Sequence, residues 1–435
     1  MAEAVIDKIR RLTEPVYYKF ILIPRAKIRQ YWRVRQIQKA GKVRVVFLVC
    51  SLPMWRAQQV YRCLQEDSRF EVFVAIYPPV VWTDGQRSRA VSVLRAFFKK
   101  EKIQILDLSK EILPGKALRT ALNPDLIFYP LPYNHLFWND LDNQYFGDKL
   151  ICHIPYGMPV VRTAWIDKSL LNNTAWRLFY HSEARKQQAQ ESLYNHGHNI
   201  RITGDPVFDL YKESNHTTVW KKQLWLKKRV IWAPHYSIQD TDWLHHNSFS
   251  WLYDTMLMLS EKYKDKIQFS FKPHPRLFSS LCELPEWGEE RTEAYYQAWA
   301  TGENTQLDTG AYVDLFKESD AMIHDSSSFT AEYHFTGNPV LFTSKDINTL
   351  LDELNEFGRN ALSAHYLCNS ISGIIDFIEN VVLGESDPKK IDRETFSKKF
   401  LCLPKGFSAS ENIYQEILIG LGFKSQENLS KEISI

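Results

Sequence analysis

One stretch limits the possible folds more than any other. Val43–Cys50 (VRVVFLVC) is an almost unbroken run of β-branched and apolar residues. A strand of that kind is covered on both faces, which requires a parallel sheet with helices on either side. Ser51–Pro53 breaks the run, and Trp55–Glu66 continues at helical spacing. Phe70–Ile76 then reads as a second strand, Ala90–Lys100 as a helix and Ile103–Asp107 as a third strand. Asn123-Pro124-Asp125 introduces Leu126–Tyr129, and Lys149–His153 is a further short apolar run. Strand and helix alternate at the pace of βαβ units, so the spacing predicts a doubly wound sheet.

The alternation restarts in the second half of the chain. Arg229–Ala233 reads as a strand, Phe249–Tyr263 as a helix, Ile267–Lys272 as a strand and Ala311–Glu318 as a helix. Ala321–His324 follows as a strand, Ser328–Thr336 as a helix and Pro339–Thr343 as a strand. The polar, basic segment Leu210–Lys228 reads as a connection, and Ser408–Leu421 as a final amphipathic helix. A chain of 435 residues, 44% of them hydrophobic, supplies two cores rather than one. The expected architecture is α/β, with two Rossmann-like domains facing a cleft and a basic N-terminal helical leader. The expected divisions are residues 1–41 for the leader, 42–208 for the first domain, 209–404 for the second, and 405–435 for a C-terminal helix and tail.

A net charge of +3 gives the whole chain no nucleic-acid-binding character. The first 45 residues differ from the rest. Lys8, Arg10, Arg11, Lys19, Arg25, Lys27, Arg29, Arg33 and Arg35 are interleaved with Tyr17, Tyr18, Phe20, Ile21, Tyr31 and Trp32. Cations set among apolar bulk suit an anionic membrane surface through residues 1–40; the same pattern also fits a solvated helix capping the first domain. No apolar run reaches the roughly 18 residues that span a bilayer, and no signal-peptide pattern opens the chain. The expected location is cytoplasmic, peripheral on the inner face of the membrane. Six scattered cysteines without a CxxC pair read as reduced thiols rather than a disulfide frame or zinc site.

In open α/β sheets ligands bind beyond the carboxyl ends of the strands, and four segments of the second half lie at such positions. Thr203-Gly204-Asp205-Pro206 makes a tight turn that either approaches a ligand or simply joins two domains. Ala233-Pro234-His235-Tyr236-Ser237 offers an imidazole and two hydroxyls at a strand end. In Lys272-Pro273-His274-Pro275-Arg276, two prolines fix the backbone around a histidine flanked by cations. That grouping suits a phosphate, with the ring either charged or as a neutral N–H donor; a rigid surface loop is the alternative. His324-Asp325-Ser326-Ser327-Ser328 opens a helix with more hydroxyls than a cap needs, and Glu332 follows within reach of ribose hydroxyls.

In this order and spacing, the segments resemble the CDP-glycerol glycerophosphotransferase family, the teichoic-acid polymerases and primases. The matching elements are Gly204-Asp205-Pro206 with Asp209, Ala233-Pro234, Lys272-Pro273-His274-Pro275, and Asp325-Ser326-Ser327-Ser328 with Glu332; Asp314–Phe342 is the most specific piece. The resemblance implies a GT-B fold and metal-independent chemistry without a cofactor. An acceptor hydroxyl would attack the β-phosphate of a CDP-activated polyol or sugar donor and release CMP, the acceptor being a glycan or lipid-linked precursor. It also implies that Gly204, Pro206, Asp209, His235, Lys272, Arg276, Asp325, Ser326, Ser327, Ser328 and Glu332 bind the donor. His274 would hold the diphosphate, and the general base of the first domain falls to His153 or Tyr156.

The sequence departs from the family at three places. Val207 and Ser237 stand where arginines are usual, and Tyr156-Gly157 stands where a His-Gly pair is usual, with His153 three residues earlier. Two other readings remain. One is a GT-B enzyme using a nucleotide sugar, such as the UDP-sugar 2-epimerases, which share the Thr203-Gly204…Asp209 pattern. The other is a scaffold without catalysis.

Overall fold

The computed structural model describes residues 13–137, 140–213, 217–238, 247–403 and 407–424. Lys8, Arg10 and Arg11 of the leader and the tail from residue 425 lie outside the described residues. The chain forms two compact units. The first is assembled from three stretches: the residues up to Gly157, Thr163–Asp209, and the chain from Leu403 onward. The second comprises Met158–Arg162 and Leu210–Cys402.

The first unit holds seven strands: β1 (Val43–Val49), β2 (Phe70–Ile76), β3 (Ile105–Asp107), β4 (Leu126–Tyr129), β5 (Leu150–His153), β6 (Arg177–Tyr180) and β7 (Ile200–Ile202). All pairings are parallel, in the order β3-β2-β1-β4-β5-β6-β7. Strand β1 shows why both faces are apolar. Val43, Val45, Phe47 and Val49 enter one core cluster, while Val46 and Leu48 enter the other. The period of two thus divides one hydrophobic run between two layers of helices. The Ala409–Leu421 helix, opened by a Ser408–Glu411 capping box, supplies Ile413, Ile417, Leu418 and Leu421 to the first of those layers.

At the other end of the chain, residues from Thr13 to Ala40 are helical, with a π-helical turn at Tyr18–Leu22. Gly41, at φ +66°, ends the helix in the left-handed conformation. Ile23 and Ile37 anchor it, and the Gln38 side-chain amide donates to the Leu421 carbonyl at 2.9 Å.

The second unit holds β8 (Lys228–Ala233), β9 (Ile267–Phe271), β10 (Thr305–Leu307), β11 (Ala321–His324), β12 (Val340–Thr343) and β13 (Tyr366–Cys368). Its sheet is also parallel, in the order β10-β9-β8-β11-β12-β13. Val230 and Trp232 of β8 face one cluster; Ile231 and Ala233 face the other. Strand order reverses between β8 and β11, and this is where an open α/β sheet leaves a crevice at its carboxyl edge.

Several elements differ from the sequence expectation. The helix expected from Trp55 starts at Gln58, after a 3₁₀ turn at Leu52–Met54. The one expected from Ala90 starts at Asp84, because Thr83 and Gln86 form a capping box. The helix after β11 is the six-residue Ser327–Glu332, followed by a 3₁₀ turn at Tyr333–Thr336. Strands β6, β10 and β13 and the Gly288–Thr301 helix were not anticipated.

Candidate active site

Topology gathers the polar residues of the second unit. The segment after β8, the loop after β9 and the turn after β11 all leave the sheet at its carboxyl edge, around the reversal of strand order. His235, His274 and Asp325 therefore come together although 90 residues separate the first from the last.

Asp325 is the centre of this arrangement. It is fully buried. One carboxylate oxygen accepts the His235 backbone N–H at 2.6 Å, and the other accepts the Ser248 N–H at 2.7 Å. It thereby ties the turn after β11 to the segment after β8 and to the start of the Phe249–Lys262 helix. Asp325, expected at the donor, has each of its oxygens engaged by a backbone donor.

The two histidines share a tautomer. His235 Nδ1 accepts the Ser237 backbone N–H at 3.2 Å and lies 2.7 Å from the Ser237 hydroxyl. His274 Nδ1 accepts the Arg276 N–H at 3.1 Å, and its own backbone N–H donates to the Pro234 carbonyl at 3.0 Å. With Nδ1 occupied as acceptor, each neutral ring carries its proton on Nε2. Burial, reinforced by the Arg276 and Lys272 charges, pushes His274 down to about 4. It is therefore a neutral N–H donor near neutral pH, which decides between the two expected forms.

The ring centroids of His235 and His274 are 5.0 Å apart, with Tyr236 at 4.4 Å and 4.6 Å from them. The exposed Arg276 guanidinium lies 4.2 Å over the Tyr236 ring. Two imidazoles and one cation thus cluster at the carboxyl edge of the second sheet.

Lys272 does not add a free cation. Its buried ammonium pairs with Asp308 at 3.2 Å and donates to the Gly310 carbonyl at 2.7 Å, and burial lowers its pKa. It braces the loop after β10. Ser326 is buried, Ser327 half-buried and Ser328 exposed. Among the described residues the Ser327 and Ser328 hydroxyls have no hydrogen-bond partner. The helix they open is only six residues long, so local hydroxyls and amides, rather than a long helix dipole, are what it offers. Glu332, expected at the ribose, is 1% exposed at the end of that helix.

Behind the turn runs a hydrogen-bonded chain that the sequence did not indicate. The Ser326 N–H donates to His324 Nδ1 at 3.1 Å. His324 Nε2–H then donates to His365 Nε2 at 3.2 Å, and His365 Nδ1–H to the Ala361 carbonyl at 2.9 Å. His324 and His365 are 41 residues apart, and no spacing rule links them.

The Gly204 turn belongs to the first unit. Gly204 has φ +83°, and a Cβ there would lie 2.5 Å from Leu403 Cδ2. Pro206 is buried beside it, and Asp205 pairs with Arg56 at 3.5 Å. The Asp209 carboxylate accepts the Ala409 and Ser410 backbone N–H groups at 2.8 Å and 2.9 Å, capping the C-terminal helix. Gly204 and Asp209 therefore help seat that helix, a role invisible without knowing where the Ala409–Leu421 helix packs.

Also in the first unit, His153 ends β5 and is buried. Its Nδ1–H donates to the Tyr129 carbonyl at 2.8 Å, leaving the lone pair on Nε2. Burial, with the Arg185 charge, lowers it to about 4. Tyr156 is 37% exposed and hydrogen-bonds Tyr133. Among the described residues, no group of three or more His, Cys, Asp or Glu side chains is arranged to hold a metal.

The sequence matches the family described as CDP-Glycerol:Poly(glycerophosphate) glycerophosphotransferase over residues 156–419. No match was found among curated proteins. Of solved structures, the chain is similar to a variant of the wall teichoic acid polymerase TagF soaked with CDPG, at 14% identity and TM-score 0.57, covering 98% of this chain and 99% of that one. It is also similar to S. aureus MnaA in a co-structure with UDP, at 14% identity and TM-score 0.57, covering 88% and 98%. A third is the Neisseria meningitidis UDP-GlcNAc 2-epimerase bound to UDP-GlcNAc, at 15% identity and TM-score 0.51, covering 86% and 100%. At such identities the likeness is one of fold.

Two Rossmann-like units, with polar residues collected where the second sheet reverses its strand order, give a fold of GT-B type. The chain belongs to the CDP-glycerol:poly(glycerophosphate) glycerophosphotransferase family, and it is a transferase of that kind.

Proposed function

We propose that the protein transfers a glycerol phosphate, or a related polyol or sugar phosphate, from a CDP-activated donor to a hydroxyl of a cell-surface polymer or its lipid-linked precursor. The observation that carries this reading is the neutral Nε2–H imidazole of His274 beside His235 at the carboxyl edge of the second sheet, where Asp325 holds the His235 backbone. Neutral donors fixed before the substrate arrives stabilise charge developing on phosphoryl oxygens at little reorganisation cost. Arg276 supplies the positive charge, and the Ser327 and Ser328 hydroxyls further donors.

The acceptor oxygen attacks the β-phosphorus. The bond from that phosphorus to the bridging oxygen breaks, and CMP leaves with the electron pair. The acceptor's proton goes to a general base, for which the first unit offers His153, whose Nε2 lone pair the Tyr129 hydrogen bond leaves available, or Tyr156. No metal or cofactor is assigned a role. Incubating the protein with CDP-glycerol and a glycerol-phosphate-primed acceptor is expected to yield CMP and a lengthened acceptor. Release of UDP from a UDP-sugar, with CDP-glycerol untouched, would instead establish the nucleotide-sugar reading that the epimerase neighbours represent.

The acceptor reading places the protein at a membrane. No helix among the described residues is long and apolar enough to cross one. The N-terminal helix nevertheless exposes Phe20, Ile21, Ile28, Tyr31 and Trp32 beside Lys19, Arg25, Lys27 and Arg29, which suits attachment to an anionic surface. Since Ile37 is core and Gln38 bonds Leu421, truncating the helix would disturb the unit as well as the surface. The double variant Phe20→Ser/Trp32→Ser is the cleaner test. Two large side chains contribute roughly 1.5–3 kcal/mol each when buried, so a loss of at least tenfold in binding to anionic vesicles is expected. Unchanged binding would end the membrane reading.

A further inference from the structure

A second site lies in the first unit, between the N-terminal helix and the edge of the sheet. A groove of about 350 Å³ opens there, within the ~300–1,000 Å³ typical of ligand pockets. Ile23, Ala26, Lys27 and Tyr31 line it from the helix, and Trp176, Arg177 and His198 from the facing wall. Among the described residues, no Asp or Glu lines it.

Arg177 is the informative member. Its Nε is buried and has no hydrogen-bond partner among the described residues. Its guanidinium sits 4.8 Å over the Trp176 ring, and the nearest acceptor bond is a long 3.5 Å contact to the Trp176 carbonyl. Glu416, which exerts a favourable charge effect on it, is paired with Arg201 at 3.2 Å. Burial, followed by repulsion from Arg201, lowers Arg177 to about 10. A half-buried guanidinium whose nearby carboxylate is already paired with a second arginine is favoured by an anion that completes it.

The wall is built for this placement. A Cβ on Gly420 would lie 2.6 Å from Trp176 and 3.0 Å from Arg177 Nη2, so only glycine admits both side chains. The Asn195 and Asn199 amides are committed to backbone carbonyls and to one another, which leaves the cations as the recognition groups. Lys27 and His198 stand exposed at the rim, and Tyr31 continues into the exposed apolar face of the helix.

We infer that this groove binds the phosphate of a membrane lipid, with Arg177 on the phosphate, Lys27 and His198 at the rim, and the acyl chains running toward the apolar face of the helix. The inference rests on the membrane reading of that helix. A lipid is favoured over a free phosphate because the cationic floor and the exposed apolar face adjoin along one helix, which a soluble phosphate would not use.

The full-length protein is tested by co-sedimentation with phosphatidylcholine vesicles containing phosphatidic acid, or oleate at matched surface charge. Arg177→Gln is expected to lower binding to phosphatidic-acid vesicles about tenfold, the loss of one charge-assisted hydrogen bond. It should leave binding to oleate vesicles, and transfer to a soluble acceptor, unchanged. Ala26→Trp, which fills the groove from the helix side, is expected to act in the same direction and stands in should Arg177→Gln misfold. Wild-type affinity of both variants for phosphatidic acid would overturn the site, and if Phe20→Ser/Trp32→Ser still released the protein, the membrane reading would survive alone. Full competition by soluble glycerol 3-phosphate would overturn the lipid assignment. Failure of the wild type to bind any vesicle would overturn both.

Discussion

His274→Ala is expected to lower kcat/KM by roughly 10²–10³-fold, the usual cost of removing one preorganised donor to developing charge, with thermal stability close to that of the wild type. Both halves follow from how the residue is held. What positions it is mostly backbone: its N–H bonds the Pro234 carbonyl, and prolines on either side fix the main chain. Alanine keeps all of that. What is lost is the Nε2–H and the contact with His235 and Tyr236. Because the donor acts on charge that grows along the reaction, the loss should fall mainly on kcat, with KM for the nucleotide donor less affected. Turnover at the wild-type rate would remove His274 from the phosphate site, and with it the principal support for the proposed transfer.

A second large effect is expected from acid. Burial holds His153 at about 4, His181 at about 3 and His334 at about 3, and places His365 well below its ordinary value. All four are neutral in the folded protein and take up protons in the unfolded chain below about 6.5. The native pKa values are depressed, so the stability these groups contribute is complete above about pH 6.5. It is lost as pH falls toward 4, at about 1.4 kcal/mol per pH unit for each histidine. Denaturant titrations at pH 7, 6 and 5 should therefore show a steep fall, and His365→Gln should reduce the proton uptake on unfolding by about one. A stability flat across that range would mean that these rings are solvated or charged in the native state. Near His334 and His365 stands the buried Arg393, which adds repulsion against protonation and is itself held by Asp387.

How much of this was legible in the sequence depended on how each element is buried. Strands covered on both faces announced themselves: β1, β2, β4 and β11 are dense apolar runs, and the last three have the bounds read from the sequence. Strands β6 and β10 carry Arg177 and Gln306 within three or four residues, and runs so short and so interrupted have no period to detect. The start of the Asp84 helix was available in Thr83 and Gln86, but the apolar residues further on outweighed it.

At the site, position after a strand end indicated that His235, His274 and Asp325 come together. Residue type was a poorer guide to role. Lys272 and Asp209 have the chemistry of ligand contacts, yet their partners are Asp308 and the Ala409–Leu421 helix. Only the fold reveals such partners. The His324–His365 chain and the Arg177 groove depend wholly on distant segments meeting.

The division of the first unit into separate stretches of chain bears on how the protein is made. Residues 210–402 can finish folding while the C-terminal stretch is still on the ribosome, whereas the sheet that began first waits for Ile413, Ile417 and Leu421 to arrive. Until then the nascent chain carries an open apolar layer around Val45, Phe47 and Val60. A chain cut at residue 405 and released would thus keep the strands and helices of the second unit and lack the helix that seals the first.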